Sequence, residues 1–73
     1  MTLVTGVVPI GLRSAVEFYV TRLPAAGYEN GRGDAELDEA EAVFSGRGVT
    51  GKWKVNAIPD CPNAVTLAVF VKS

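Results

Sequence analysis

The pattern of hydrophobic positions along the chain changes period twice, from strand to helix and back to strand. Residues 2–8, Thr-Leu-Val-Thr-Gly-Val-Val, are rich in β-branched side chains and stop at Pro9, which predicts a strand. The period then becomes helical. At 100° per residue, Leu12, Ala15, Val16, Tyr19, Leu23 and Ala26 share one stripe, with Arg13, Ser14, Glu17 and Thr21 opposite. Ser14 and Glu17 have capping-box spacing and offer a helix start at Ser14 in place of Leu12. Gly27 stands where a left-handed C-terminal cap belongs. Pro24 removes one backbone donor and is expected to kink or shorten the last turn.

Strict alternation follows. Ala40 to Ile58 reads as a hairpin turning at Gly48-Val49, since a type II′ turn takes glycine at its first central position. That turn would place Phe44 opposite Trp53, Ala42 opposite Val55 and Ala40 opposite Ala57 on one side of the pleat. Ser45 and Val43 would face Lys52 and Lys54 on the other. Asn63 to Lys72 is a last strand, with Val65, Leu67, Val69 and Val71 on one face and Ala64, Thr66, Ala68 and Phe70 on the other. Apolarity on both faces suits an interior strand or one covered on both sides. Tyr28 to Gly33 is an optional short strand, and Asp34–Glu39 is either a loop or the lead-in to the hairpin.

The expected fold is therefore α+β, in the order β-α-(β)-β-β-β. One amphipathic helix packs on one face of a mostly antiparallel sheet of three to four strands. Residues 1–73 form a single small domain, either a protein in its own right or a piece of a larger one.

Composition narrows the function classes. The chain has no His and one Cys, so it cannot build a His/Cys zinc site or a Ser-His-Asp or Cys-His catalytic group unaided. A net charge of −1 argues against binding a phosphate backbone, so no nucleic-acid partner is expected. No apolar run approaches the ~18 residues of a membrane span. Met1-Thr2-Leu3-Val4 lacks the basic start of a signal peptide. Cys61, in Pro59-Asp60-Cys61-Pro62, reads either as a turn thiol or as half of a bridge to a segment outside this chain or to a second copy.

Charge is distributed unevenly. Residues 29–41 hold six acids and one Arg, a net −5, and residues 42–73 carry +3. Asp34, Glu36, Asp38 and Glu39 are the candidates for a divalent-metal or small-ligand site, with Glu41 completing the run. The calcium-loop template is not met, because Glu39 stands where its glycine is needed and Ser45 where its bidentate Glu belongs. A solvated acidic segment is the simpler reading.

Other motifs yield to local structure. Gly46, Gly48 and Gly51 spell G-x-G-x-x-G, but a strand follows them where a dinucleotide site needs a helix, so no nucleotide cofactor is expected. Arg32-Gly33-Asp34 matches a cell-adhesion tripeptide that three residues reach readily by chance. Lys52-Trp53-Lys54 looks like a base-stacking platform, yet alternation sends Trp53 to the core side and the lysines to the other. Glu17 and Asp60 lack the apolar surroundings that would retune a carboxylate for acid–base work. No catalytic residue, cofactor or enzymatic activity is expected.

What stands out is apolar surface left over. Phe18 projects about 120° from the helix stripe, next to Arg22. Behind the helix-covered face, Val43, Thr66, Ala68 and Phe70 share the reverse of the sheet, bordered by lysines including Lys54. An uncovered face of this kind marks an association surface unless a loop folds over it. The expected function is a non-catalytic interaction module, self-associating as a homo-oligomer such as a dimer or docking on a parent or partner protein. Phe18, Val43, Lys54, Thr66, Ala68 and Phe70 are its candidate contacts, and a ligand or metal module built on the acidic segment is the alternative.

One stretch resembles a known group. Phe18-Tyr19-Val20-Thr21-Arg22-Leu23-Pro24-Ala25-Ala26-Gly27-Tyr28 is similar to small bacterial domains whose helix reads FY…LPxxG-aromatic before antiparallel strands. They form parts of exported proteins and lipoproteins, often actinobacterial and mostly of unknown function. The resemblance implies this α+β architecture and an extracytoplasmic setting, where Cys61 would gain significance; outside an exported protein, the chain would be cytoplasmic. It implies no catalytic residue.

Overall fold

A computed structural model describes residues 2–72; Met1 and Ser73 lie outside the described residues. The chain runs β1 (Thr2–Val8), α1 (Leu12–Ala25), β2 (Glu29–Ala35), β3 (Glu39–Gly46), β4 (Val49–Ile58) and β5 (Cys61–Lys72). The strands form one antiparallel sheet in the order β1-β5-β4-β3-β2. After β1 the chain crosses to the far edge through α1, and a four-strand meander then returns to pair β5 with β1. The α+β class and the single helix agree with the sequence, but the sheet has five strands. The optional strand is a full edge strand, running to Ala35, and β5 starts two residues early at Cys61.

Helix α1 starts at Leu12, not at Ser14. Gly11 is its N-cap, no side chain caps it, and the Ala15 N–H bonds the Gly11 carbonyl at 3.1 Å. Its end follows the sequence closely. Tyr28 N–H reaches the Leu23 carbonyl at 2.9 Å and Gly27 N–H the Pro24 carbonyl at 3.1 Å, the two bonds of a Schellman motif. Gly27 makes this possible with φ of +95°. Pro24 sits inside the last turn, where it withholds one donor without ending the helix before Ala25.

The β3–β4 register corrects the expectation. The turn is Arg47-Gly48, with φ of 53° and 81°, in the left-handed region that both central residues of a type I′ turn require. Phe44 therefore stands opposite Gly51, Ala42 opposite Trp53 and Ala40 opposite Val55; Val43 faces Lys52 and Glu41 faces Lys54. The displacement is two residues, so every side chain keeps its predicted face. Gly51 is where the register is decided: a β-carbon there would run into the Phe44 ring and the Phe70 carbonyl.

The core lies between α1 and one sheet face. Ala15, Ala40, Ala42, Phe44, Trp53, Val55 and Val65 are buried, with Leu12, Val16, Tyr19, Leu23 and Tyr28 packed against them. Tyr19 stacks on Trp53 with ring centroids 5.0 Å apart and planes at 12°. Asn30 links three elements, since its Oδ1 accepts from Trp53 Nε1 at 3.0 Å and its Nδ2 donates to the Tyr19 carbonyl at 3.4 Å. No buried side-chain polar atom among the described residues lacks a partner.

Candidate association surface

The ladder sets which residues share the face turned away from α1. Three rows cross it from β3 to β1: Val43-Lys52-Phe70-Leu3, Glu41-Lys54-Ala68-Thr5 and Glu39-Asn56-Thr66-Val7. Among the described residues no element covers these rows. Thr66 is exposed, Val43 is 44% exposed, and Ala68 and Phe70 are half-buried in the pleat. The open reverse face expected from one helix on one sheet is present.

That face divides into two halves. On β3 and β4, Lys52 Nζ lies 3.1 Å from Glu41 Oε2 and Lys54 Nζ lies 3.8 Å from Glu39 Oε2, while Asn56 Nδ2 donates to the same Glu39 oxygen at 3.1 Å. Lys54 thus belongs to an ion-pair ladder. On β5 and β1 the face is uncharged and largely apolar from Thr66 to Phe70, extended by Leu3 and Val7, which are 54% and 66% exposed, and Lys72 stands at its end opposite Thr50.

Leu3 and Val7 were not among the sequence candidates. Their alternation in residues 2–8 was visible, but their neighbours come from β5, about sixty residues away in the chain. Phe18 lies apart from the other candidates, on the helix side of the sheet. It packs edge-on against Tyr19 at 5.5 Å, with the Arg22 guanidinium 5.6 Å from its ring centre. Phe18 also lines an apolar hollow of about 150 Å³ with Val8, Ile10, Ala15, Tyr19 and Leu67. This hollow opens beside β1, because α1 packs over β2 to β5 and makes no backbone approach to β1. Exposed apolar side chains therefore flank β1 on both faces: Leu3 and Val7 on one, Val4 and Phe18 on the other.

The two sheet edges differ. β2 carries Glu29, Arg32 and Asp34, and its register slips between Asn30 and Gly33, so its ladder is bulged and charged. Those are common devices against strand addition. β1 has neither: it pairs regularly over all seven residues, and no charge occurs from Thr2 to Leu12.

The acidic candidates do not converge. Asp34 is the penultimate residue of β2 and accepts a bond from the Ala35 N–H at 3.0 Å, Glu36 and Asp38 sit in the β2–β3 turn, and Glu39 is committed to Lys54 and Asn56. Among the described residues no group of three or more His, Cys, Asp or Glu side chains is placed to hold a metal ion. Cys61 is exposed beside the Pro59-Asp60 turn. Burial pushes the Tyr19 phenol above the ordinary 10.0. No described helix is long and apolar enough to cross a membrane. No protein-family model, curated protein or solved structure matches the chain.

Proposed function

We propose that the domain is a non-catalytic association module whose working surface is the β1 edge with the adjoining uncharged part of the open sheet face. The observation that carries this reading is the contrast between the edges. β2 is bulged and charged, whereas β1 is regular, uncharged and flanked by exposed apolar side chains on both faces. An added strand would find unpaired backbone groups along β1 and side-chain contacts above and below it, the mode of recognition by strand addition. Leu3, Val7, Thr66, Ala68 and Phe70 supply contacts on the open face, and Phe18 supplies one on the helix side.

A synthetic peptide with the sequence of residues 2–8, titrated into labelled protein, tests this. The amide signals of β1, with Leu67 and Phe70 beside it, should shift and exchange more slowly with solvent as peptide is added. Unchanged signals at millimolar peptide and at millimolar protein would sink the reading.

A further inference from the structure

We infer that the strand added to β1 is the β1 of a second copy, antiparallel about a two-fold axis through Thr5, giving one continuous ten-stranded sheet. This rests on the association reading above and commits it to one occupant and one register.

Charge selects the edge. Segment 29–41, with its net −5, lies at the opposite side of the sheet from β1. Joining two copies through β2 would bring two such segments together, and joining β1 to β2 would repeat without closing. Joining β1 to β1 brings two uncharged strands together and leaves both acidic edges at the outer ends, as far apart as the sheet allows. It also removes both unprotected edges and leaves only the bulged β2 strands exposed.

Geometry selects the register. Centring on Thr5 pairs all seven residues of β1, with Thr2 opposite Val8, Leu3 opposite Val7 and Val4 opposite Gly6. A shift by two residues leaves strand unpaired at both ends, and a shift by one turns the open face of one copy onto the helix side of the other. In the centred register, Leu3 of each copy meets Val7 of the other across the seam, so each Phe70-Leu3 row runs on into the Val7-Thr66 row of the second copy. On the helix side, Val4 of one copy enters the open space over Gly6 of the other, where no heavy atom stands within 4 Å of a would-be β-carbon. Its neighbour Thr2 approaches the hollow under Phe18. A seam of only seven residues a side is small for a specific interface, so the dimer should be reversible and concentration-dependent.

Sedimentation equilibrium from micromolar to millimolar protein, with two sets of variants, provides the test. The wild-type chain should pass from monomer to dimer. Val7→Lys and Val4→Lys alter side chains already exposed in the monomer, and each should weaken the dimer at least tenfold with an unchanged circular dichroism spectrum. In a Cys61→Ser background, Thr5→Cys should form a disulfide-linked dimer under mild oxidant, because the axis brings the two Thr5 positions face to face. Glu29→Cys on the far edge should not. If the protein dimerises but neither lysine variant weakens it and Thr5→Cys does not cross-link, the β1 seam is overturned while association through another surface stands. If the chain stays monomeric at millimolar concentration, self-pairing is overturned, and the peptide titration decides the broader reading separately.

Discussion

The indole N–H of Trp53 donates to the side-chain carbonyl of Asn30 across 3.0 Å, and the amide of that Asn30 reaches back to the Tyr19 carbonyl. Trp53 is 3% exposed, so its one polar atom requires a partner where water has little access. Asn30 meets that need from the edge strand and ties β2 to both β4 and α1. Asn30→Ala should lower stability by about 1–3 kcal/mol, the cost of an orphaned buried donor, read from urea unfolding followed by Trp53 fluorescence. An unchanged midpoint would show that Asn30 does not hold the three elements together.

Gly51 leaves the space that the Phe44 ring fills. Gly51→Val should cost at least ~2 kcal/mol, because a β-carbon meets both the ring and the Phe70 backbone, and neither can move without disturbing the sheet. Gly48→Ala is the control: its surroundings are open, and its φ of +81° costs about 1 kcal/mol. Equal thermal-melt losses for the two would remove the steric account.

Burial raises the Tyr19 pKa above 10.0, so folding favours its neutral form. The sign follows from linkage. Below the unfolded value the stabilisation is fully present, and it is lost as pH rises through the folded value, because the unfolded chain releases the phenol proton first. Stability should fall above about pH 10 in the wild type and fall less steeply in Tyr19→Phe. Denaturant midpoints from pH 8 to 11 check this; parallel curves for the two proteins would contradict it.

The ion pair of Lys52 and Glu41 sits on the open face with both side chains more than a third exposed. Its coupling in a double-mutant cycle should be below ~1 kcal/mol and should shrink further in added salt. A larger, salt-insensitive coupling would mean that this face is covered in solution.

The element sequence and the facing of side chains were legible in the chain because both are local properties. The β-branched run of residues 2–8, the stripe through Leu12, Ala15, Val16, Tyr19 and Leu23, and the alternation from Ala40 onward each carry their own period. Gly27 marked the helix end for an equally local reason, since the Schellman bonds need a left-handed residue there. Trp53 in the core and the flanking lysines outside it follow from alternation alone.

Tertiary structure decided whatever depends on two distant segments meeting. The hairpin turned at Arg47-Gly48 because the Phe44 ring fits over Gly51, a cross-strand preference that the dipeptide Gly48-Val49 does not reveal. Residues 28–33 read weakly as a strand because glycine and charge suit a bulged edge, and only pairing with β3 makes Glu29–Ala35 one. The open face divided into an ion-paired part and a largely apolar part once β1 paired with β5, and Phe18 moved to the side away from Phe70 once the helix had a sheet beneath it. Local periodicity fixes which way a side chain points; which neighbour it meets depends on chain closure over tens of residues, and no short window of sequence contains that.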